Sequence, residues 1–114
     1  MFGINKKTEV DEKKVKAFVS WFLENGERII ASVENRMNDR KTMMAVLDEV
    51  EEQLTLVYRD GYRGQIEFDY GGKGDEWELN LYHKNKAFLI KATEMIAEGI
   101  NDANEPKWKV NIGK

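Results

Sequence analysis

Apolar and polar residues alternate twice between Gln65 and Lys84, on either side of a glycine-rich segment. The apolar positions of the two runs are Ile66, Phe68, Tyr70, Trp77, Leu79 and Leu81. A period of two is typical of a β-strand with one buried and one exposed face. The segment Gly71–Gly74 between the runs predicts the turn of a β-hairpin, because glycine adopts the positive φ angles that such turns use.

Helical spacing precedes the hairpin. Asp11 predicts a helix N-cap, and an apolar stripe with a spacing of three to four residues follows it as far as Met37. The pair Asn25-Gly26 interrupts this stripe, so one bent helix over 11–36 and two collinear helices both remain open. A second stripe predicts the next helix and consists of Met43, Leu47, Val50, Leu54 and Val57.

After the hairpin, helical spacing returns over residues 85–100, and Gly99, Asn101 and Asn104 with Pro106 predict the end of this helix. Alternation at Trp108, Val110 and Ile112 then predicts a third strand. The element order α-α-β-β-α-β predicts an α+β fold. A helix between the second and third strands makes them parallel. We expect the third strand beside the first, in a three-stranded, mostly antiparallel sheet of order 2-1-3 with helices on one face.

Length and composition bear on the number of domains and on the classes of function that the chain can have. A chain of 114 residues suits one domain, and we expect a flexible N-terminal arm over 1–10 and a single α+β domain over 11–114. The 21 acidic and 18 basic residues give a net charge of −3, which disfavours nucleic-acid binding. The absence of cysteine excludes disulfides, thiolate nucleophiles and cysteine-ligated zinc. Without an apolar leader or a long apolar run, we expect a cytoplasmic protein that binds no membrane.

The polar face of the predicted sheet is the best candidate for function. It would display Gln65, Glu67, Asp69, Glu76, Glu78, Asn80, Tyr82, Lys107, Lys109 and Asn111. Its carboxylates would attract a basic partner, and we expect Glu67, Asp69, Glu78 and Tyr82 to be the contacts. The competing interpretation is an ordinary hydrated sheet face held together by Lys–Glu cross-strand pairs.

No arrangement of residues predicts catalysis. His83 is the only histidine and has no nucleophile or metal ligand at a characteristic spacing, and a flat hydrated sheet would not separate the pKa values of paired carboxylates. We therefore predict no catalytic residue, cofactor or metal. An alternative is a small ligand-binding protein or enzyme with a cleft near His83, Tyr58 and Tyr62. A homodimer or other homo-oligomer joined through an exposed strand edge is another.

Several motifs resemble a family of small uncharacterised bacterial α+β proteins. They are Trp21-Phe22-Leu23-Glu24-Asn25, Glu27-Arg28-Ile29, Leu47-x-x-Val50-x-x-x-Leu54, Glu78-Leu79-Asn80-Leu81 and Pro106-Lys107-Trp108-Lys109-Val110. The resemblance covers about residues 15–112. It implies the same order of helices and strands and brings no assigned catalytic residue. Size and charge favour a non-catalytic protein-binding module, similar to an immunity or antitoxin protein that neutralises a basic toxin.

Overall fold

The computed structural model describes residues 9–103 and 107–114. The elements are α1 (Glu12–Glu24), α2 (Gly26–Glu34), α3 (Arg40–Tyr58), β1 (Phe68–Lys73), β2 (Glu76–Tyr82), α4 (Ala87–Asn101) and β3 (Trp108–Gly113). They form one α+β domain in the order α-α-α-β-β-α-β. Of the predicted N-terminal arm, residues 1–8 lie outside the described residues, and so do Asn104 and Pro106, which were expected to follow the last helix.

The region predicted as one bent helix or two consists of two helices that meet at Asn25. Asp11 caps α1 as predicted, accepting a hydrogen bond from the Lys13 N–H at 2.9 Å. At Asn25 the side-chain amide donates to the Trp21 carbonyl at 2.8 Å, which satisfies a group at the end of α1. The apolar stripe continues across the break, since Phe22 and Ile29 are both fully buried.

Strand β1 lies further along the chain than predicted. It begins at Phe68 rather than Gln65, and it includes Gly71 and Gly72, which were assigned to the turn. The turn itself is Gly74-Asp75, and Gly74 has the positive φ, 62°, that favours glycine. Gly71 therefore belongs to the sheet, where its missing side chain affects the shape of the exposed face.

The predicted sheet order 2-1-3 is wrong: the order is β1-β2-β3. Because β1 pairs antiparallel and β3 pairs parallel with β2, the sheet is mixed rather than mostly antiparallel. The most apolar strand takes the centre, because Trp77, Leu79 and Leu81 of β2 are at most 1% exposed and need neighbours on both sides. Strand β1, with its two glycines, lies at an edge. The parallel relation of β2 and β3 across α4 is confirmed.

The four helices cover one face of this sheet. On that side Trp77 and Trp108 pack with their ring centroids 5.9 Å apart, and Trp108 meets Phe22 of α1 edge-on at 4.8 Å. Gly26 permits the approach of α2, since a Cβ there would lie 2.9 Å from the Trp108 Nε1. The helices thus bury one face of the sheet and leave the other exposed. Among the described helices, none is long and apolar enough to cross a membrane.

Candidate functional site

The exposed face of the sheet, here called the open face, presents side chains from all three strands. Its residues are Asp69, Gly71, Lys73, Glu76, Glu78, Asn80, Tyr82, Lys109 and Asn111. Strand alternation places them there, because their neighbours along each strand point into the core. The open face is therefore the side of the sheet that a partner could reach.

A chain of hydrogen bonds crosses the open face and ends at Asp69. The Asn111 amide donates to Asn80 Oδ1 at 3.0 Å, and the Asn80 amide donates to Asp69 Oδ1 at 2.7 Å. The Tyr82 hydroxyl donates to the other Asp69 oxygen at 3.1 Å. Hydrogen bonds to an ionised carboxylate are among the stronger ones in proteins. Asp69 is therefore held in a fixed orientation although it is exposed.

The hydrogen bond between Tyr82 and Asp69 also changes the pKa of Tyr82. Its pKa is raised above the ordinary value, first by the hydrogen bond to Asp69 and then by the negative charge of that carboxylate. A tyrosine is protonated at neutral pH in any case, and the raised pKa extends the range in which Tyr82 donates to Asp69 to higher pH.

A shallow hollow lies on the open face over Gly71. A Cβ built at Gly71 would meet nothing within 4 Å, so the backbone of β1 forms a bare floor at this point. Asp69, Glu78 and Asn80 stand around the floor, and Glu78 lies directly opposite Gly71 in the strand register. The hollow has room for a long side chain supplied from outside the domain.

The carboxylates at the hollow take part in none of the ion pairs found among the described residues. Among residues 9–103 and 107–114, ion pairs join Lys14 to Asp60, Arg28 to Glu49, Lys84 to Glu67 and Lys107 to Glu27. Neither Asp69 nor Glu78 belongs to one of these pairs, although Lys109 is the register neighbour of Glu78 and Lys73 lines the same hollow. The expectation that Lys–Glu pairs hold this face together does not describe the hollow.

The residues predicted as contacts divide into three groups. Asp69 and Glu78 both stand at the hollow, and Tyr82 lies beside it and orients Asp69. Glu67 lies just before β1, where the Lys84 ammonium is 3.6 Å from its carboxylate. Gly71 was missed because the glycine run was assigned to the turn. Extending the strand alternation by two residues beyond Asp69 would have placed Gly71 on this face.

A second concave region, here called the loop cleft, lies where α3 ends and the chain turns towards β1. It has a volume of about 550 Å³, and Tyr58 and Tyr62 both line it. His83, expected near this cleft, is not among its lining residues. Its Nδ1 accepts a hydrogen bond from the Asn85 N–H at 2.9 Å, within the turn that joins β2 to α4.

The two edges of the sheet differ in how their outward backbone groups are hydrogen-bonded. At β3, the Asn101 side chain accepts from the Val110 N–H at 3.0 Å and donates to the Val110 carbonyl at 3.4 Å. At β1, the Glu67 carbonyl bonds to Tyr82, so alternation turns the backbone groups of Phe68, Tyr70 and Gly72 outward. No hydrogen bond to these groups is seen in the described part of the chain. The outer edge of β1 is therefore the more open one.

The described residues contain no group of three or more histidine, aspartate or glutamate side chains arranged to hold a metal ion. Chemically, the open face offers oriented carboxylates and hydrogen-bonding amides on a flat support. The loop cleft is a concave surface lined by Arg59 and Arg63 among other residues. The hydroxyl of Tyr58 is buried, and that of Tyr62 is hydrogen-bonded to the Gln65 carbonyl.

Comparison with known proteins does not show which of the two surfaces is the functional one. The resemblance of the sequence to a family of small bacterial proteins stays a prediction. No family model, no curated protein and no solved structure gives a significant match to this chain.

Proposed function

We propose that the domain is a non-catalytic protein-binding module that docks a basic partner onto its open face. The observation that carries the proposal is the hollow over Gly71, where Asp69 and Glu78 stand without a cationic partner among the described residues. An arginine or lysine side chain of the partner fits the hollow in length and charge. It would lie over the bare backbone of β1 with its cationic group against the two carboxylates.

The fixed orientation of Asp69 supports this proposal. Its two carboxylate oxygens already accept hydrogen bonds from Asn80 and Tyr82, so little side-chain freedom is lost when a partner binds. Each oxygen retains capacity for a further hydrogen bond. A preorganised carboxylate raises affinity more than one that must first be ordered.

An immunity-like role, in which this small protein neutralises a basic toxin, is the form of the proposal that best suits the charge. The net charge of −3 and the exposed carboxylates speed the approach of a basic protein and make the rate of association sensitive to salt. Glu67 contributes to this long-range field, while its pairing with Lys84 makes it a weaker direct contact.

The test begins with capture of a partner on the wild-type protein, followed by titration calorimetry with the purified partner. The first variant replaces Glu67, Asp69 and Glu78 by lysine and is expected to abolish measurable binding. Its control carries the same change in net charge at three exposed helical carboxylates, Asp48, Glu52 and Glu94. Equal losses in the variant and the control would show that only overall charge matters, and the proposal would then be rejected.

A second pair of variants tests the hollow without changing any charge. Gly71→Trp fills the space over β1, and it is expected to weaken binding by about a hundredfold because the partner side chain is displaced. Ala45→Trp adds the same bulk at an exposed position of α3 and is expected to bind like the wild type. Undiminished binding by Gly71→Trp would move the contact away from the hollow.

A further inference from the structure

The outer edge of β1 presents a regular row of backbone groups. The N–H and carbonyl groups of Phe68, Tyr70 and Gly72 point away from β2, and no hydrogen bond to them is seen in the described part of the chain. Gly72 is exposed, while Phe68 and Tyr70 are half-buried with their side chains towards the helices. Unpaired groups along a strand edge are a template for a further strand, so this edge is a candidate interface.

A second copy of β1 matches this edge when it lies antiparallel and is related by a two-fold axis through Tyr70. Phe68 of each copy then faces Gly72 of the other, and Tyr70 faces Tyr70, so that every outward residue of the strand is paired. Each such pair can form two hydrogen bonds between backbone groups. Sliding the pairing by two residues in either direction leaves one outward residue of each copy beyond the end of the other strand. The backbone groups therefore favour a single register.

The charges along β1 favour the same register. Glu67 of each copy lies opposite Lys73 of the other, and opposite charges in directly facing positions stabilise a strand pair. Lys73 is exposed and belongs to no ion pair within residues 9–103 and 107–114. A slide of two residues in one direction would place Asp69 opposite Asp69, and the slide in the other direction would bring Glu67 opposite Asp75. Like charges that face each other directly are destabilising.

The position of Asp69 is compatible with this pairing. In the favoured register Asp69 of each copy lies opposite Gly71 of the other, which has no side chain, and the two Asp69 residues are diagonal neighbours with Cα atoms roughly 7–8 Å apart. Each carboxylate is held towards its own β2 by hydrogen bonds from Asn80 at 2.7 Å and Tyr82 at 3.1 Å. The two carboxylates therefore repel each other less than the directly facing side chains attract each other.

We infer that two copies of the protein associate through β1, antiparallel and centred on Tyr70, to form a homodimer. The backbone groups of Phe68, Tyr70 and Gly72 supply the hydrogen bonds, and the contact of Glu67 with Lys73 of the second copy selects the register. The contact is a single short strand, so the dimer dissociates on dilution with a Kd of about 1–100 µM. The inference does not depend on the proposed function of the open face, because the pairing uses the edge of the sheet.

The first test is the mass of the wild-type protein in solution, measured by sedimentation equilibrium from about 1 µM to about 1 mM. The mass is expected to rise from that of a monomer to that of a dimer. Hydrogen exchange at the high concentration is expected to slow at the amides of Phe68, Tyr70 and Gly72, which become hydrogen-bonded only in the dimer. A monomer at every concentration, or a dimer without this protection, would overturn the inference.

Exchange of the facing charges tests the register. Glu67→Lys and Lys73→Glu are each expected to weaken dimerisation at least about tenfold, because the two-fold axis repeats the like-charge contact. The double variant Glu67→Lys/Lys73→Glu restores opposite charges and is expected to recover most of this loss. Asp48→Lys, at an exposed position of α3, is the control and should dimerise like the wild type. A double variant no better than the single ones would overturn the inference.

Disulfide cross-linking measures the register directly, since the chain has no cysteine of its own. An Asp69→Cys protein mixed with a Gly71→Cys protein is expected to form the mixed disulfide, because directly opposite residues of a non-hydrogen-bonded pair have Cα atoms about 4.5 Å apart. Either protein alone should cross-link at least about tenfold more slowly, since its two cysteines would be diagonal neighbours at about 7–8 Å. Equal cross-linking in all three samples would overturn the inference.

Discussion

The two neighbouring glycines of β1, Gly71 and Gly72, differ in whether the structure leaves space for a side chain. At Gly72 a Cβ would lie 2.2 Å from the Glu76 carbonyl oxygen, which belongs to the backbone and cannot move aside cheaply. At Gly71 a Cβ would enter open space. The fold therefore requires glycine at position 72, whereas it places no such steric requirement on position 71.

This contrast can be measured with two alanine substitutions. Gly72→Ala is expected to lower the free energy of unfolding by about 2 kcal/mol or more, since the backbone must shift to relieve the overlap. Gly71→Ala is expected to change it by less than about 1 kcal/mol and in the stabilising direction, because the unfolded chain loses freedom. Urea denaturation of both variants measures the difference, and similar destabilisation of the two would contradict the contrast.

Between elements, an ion pair joins α2 to α3. Arg28 donates to both oxygens of Glu49, at 3.0 and 2.7 Å, in the two-pronged geometry that arginine favours. This hydrogen bonding lowers the pKa of Glu49. Glu49 also acts on β1, since the pKa of Tyr70 is raised to about 12, first by burial and second by the Glu49 charge.

A pH dependence of stability follows from the lowered pKa. Because the carboxyl of Glu49 binds its proton less readily in the folded state, its contribution is complete above the unfolded pKa of about 4.3 and is lost as the pH falls through the folded value. Arg28→Gln is expected to raise the Glu49 pKa towards its ordinary value and to flatten the pH dependence below about pH 5. NMR titration of the Glu49 side chain checks this, and an unchanged pKa in the variant would contradict it.

Periodicity predicted the elements but not their neighbours. The helix cap at Asp11, the hairpin and the parallel relation of β2 and β3 follow from local patterns that the sequence displays. The position of β3 does not, because either side of the hairpin satisfies the same alternation. In the structure β3 lies beside β2, the most apolar strand, and Trp108 packs against Trp77. The loop cleft was expected near His83, Tyr58 and Tyr62, and of these three only the tyrosines line it. The presence of Arg59 and Arg63 in its lining depends on how segment 59–66 folds, and this segment carries no periodic signal.

For the molecule as a whole, the Asn101 side chain closes one edge of the sheet. It imitates the backbone of a further strand by satisfying both the N–H and the carbonyl of Val110. Asn101→Ala is expected to destabilise the domain by about 1–2 kcal/mol and to increase aggregation on prolonged storage, since β3 is then uncovered. Urea denaturation and light scattering measure the two effects. Asn101→Asp, which keeps only the acceptor, should fall between the wild type and Asn101→Ala, and wild-type behaviour of Asn101→Ala would contradict the role of this side chain.

The cover that Asn101 provides also makes the two edges unequal as places where a second copy of the chain could add a strand. Because Asn101 already occupies the N–H and the carbonyl of Val110, a strand added at β3 would find fewer free backbone groups than one added at β1, beside Phe68, Tyr70 and Gly72. Two copies joined at β1 by a two-fold axis would form one six-stranded sheet. Such a dimer would carry two open faces, which could engage two partners at once or one partner twice.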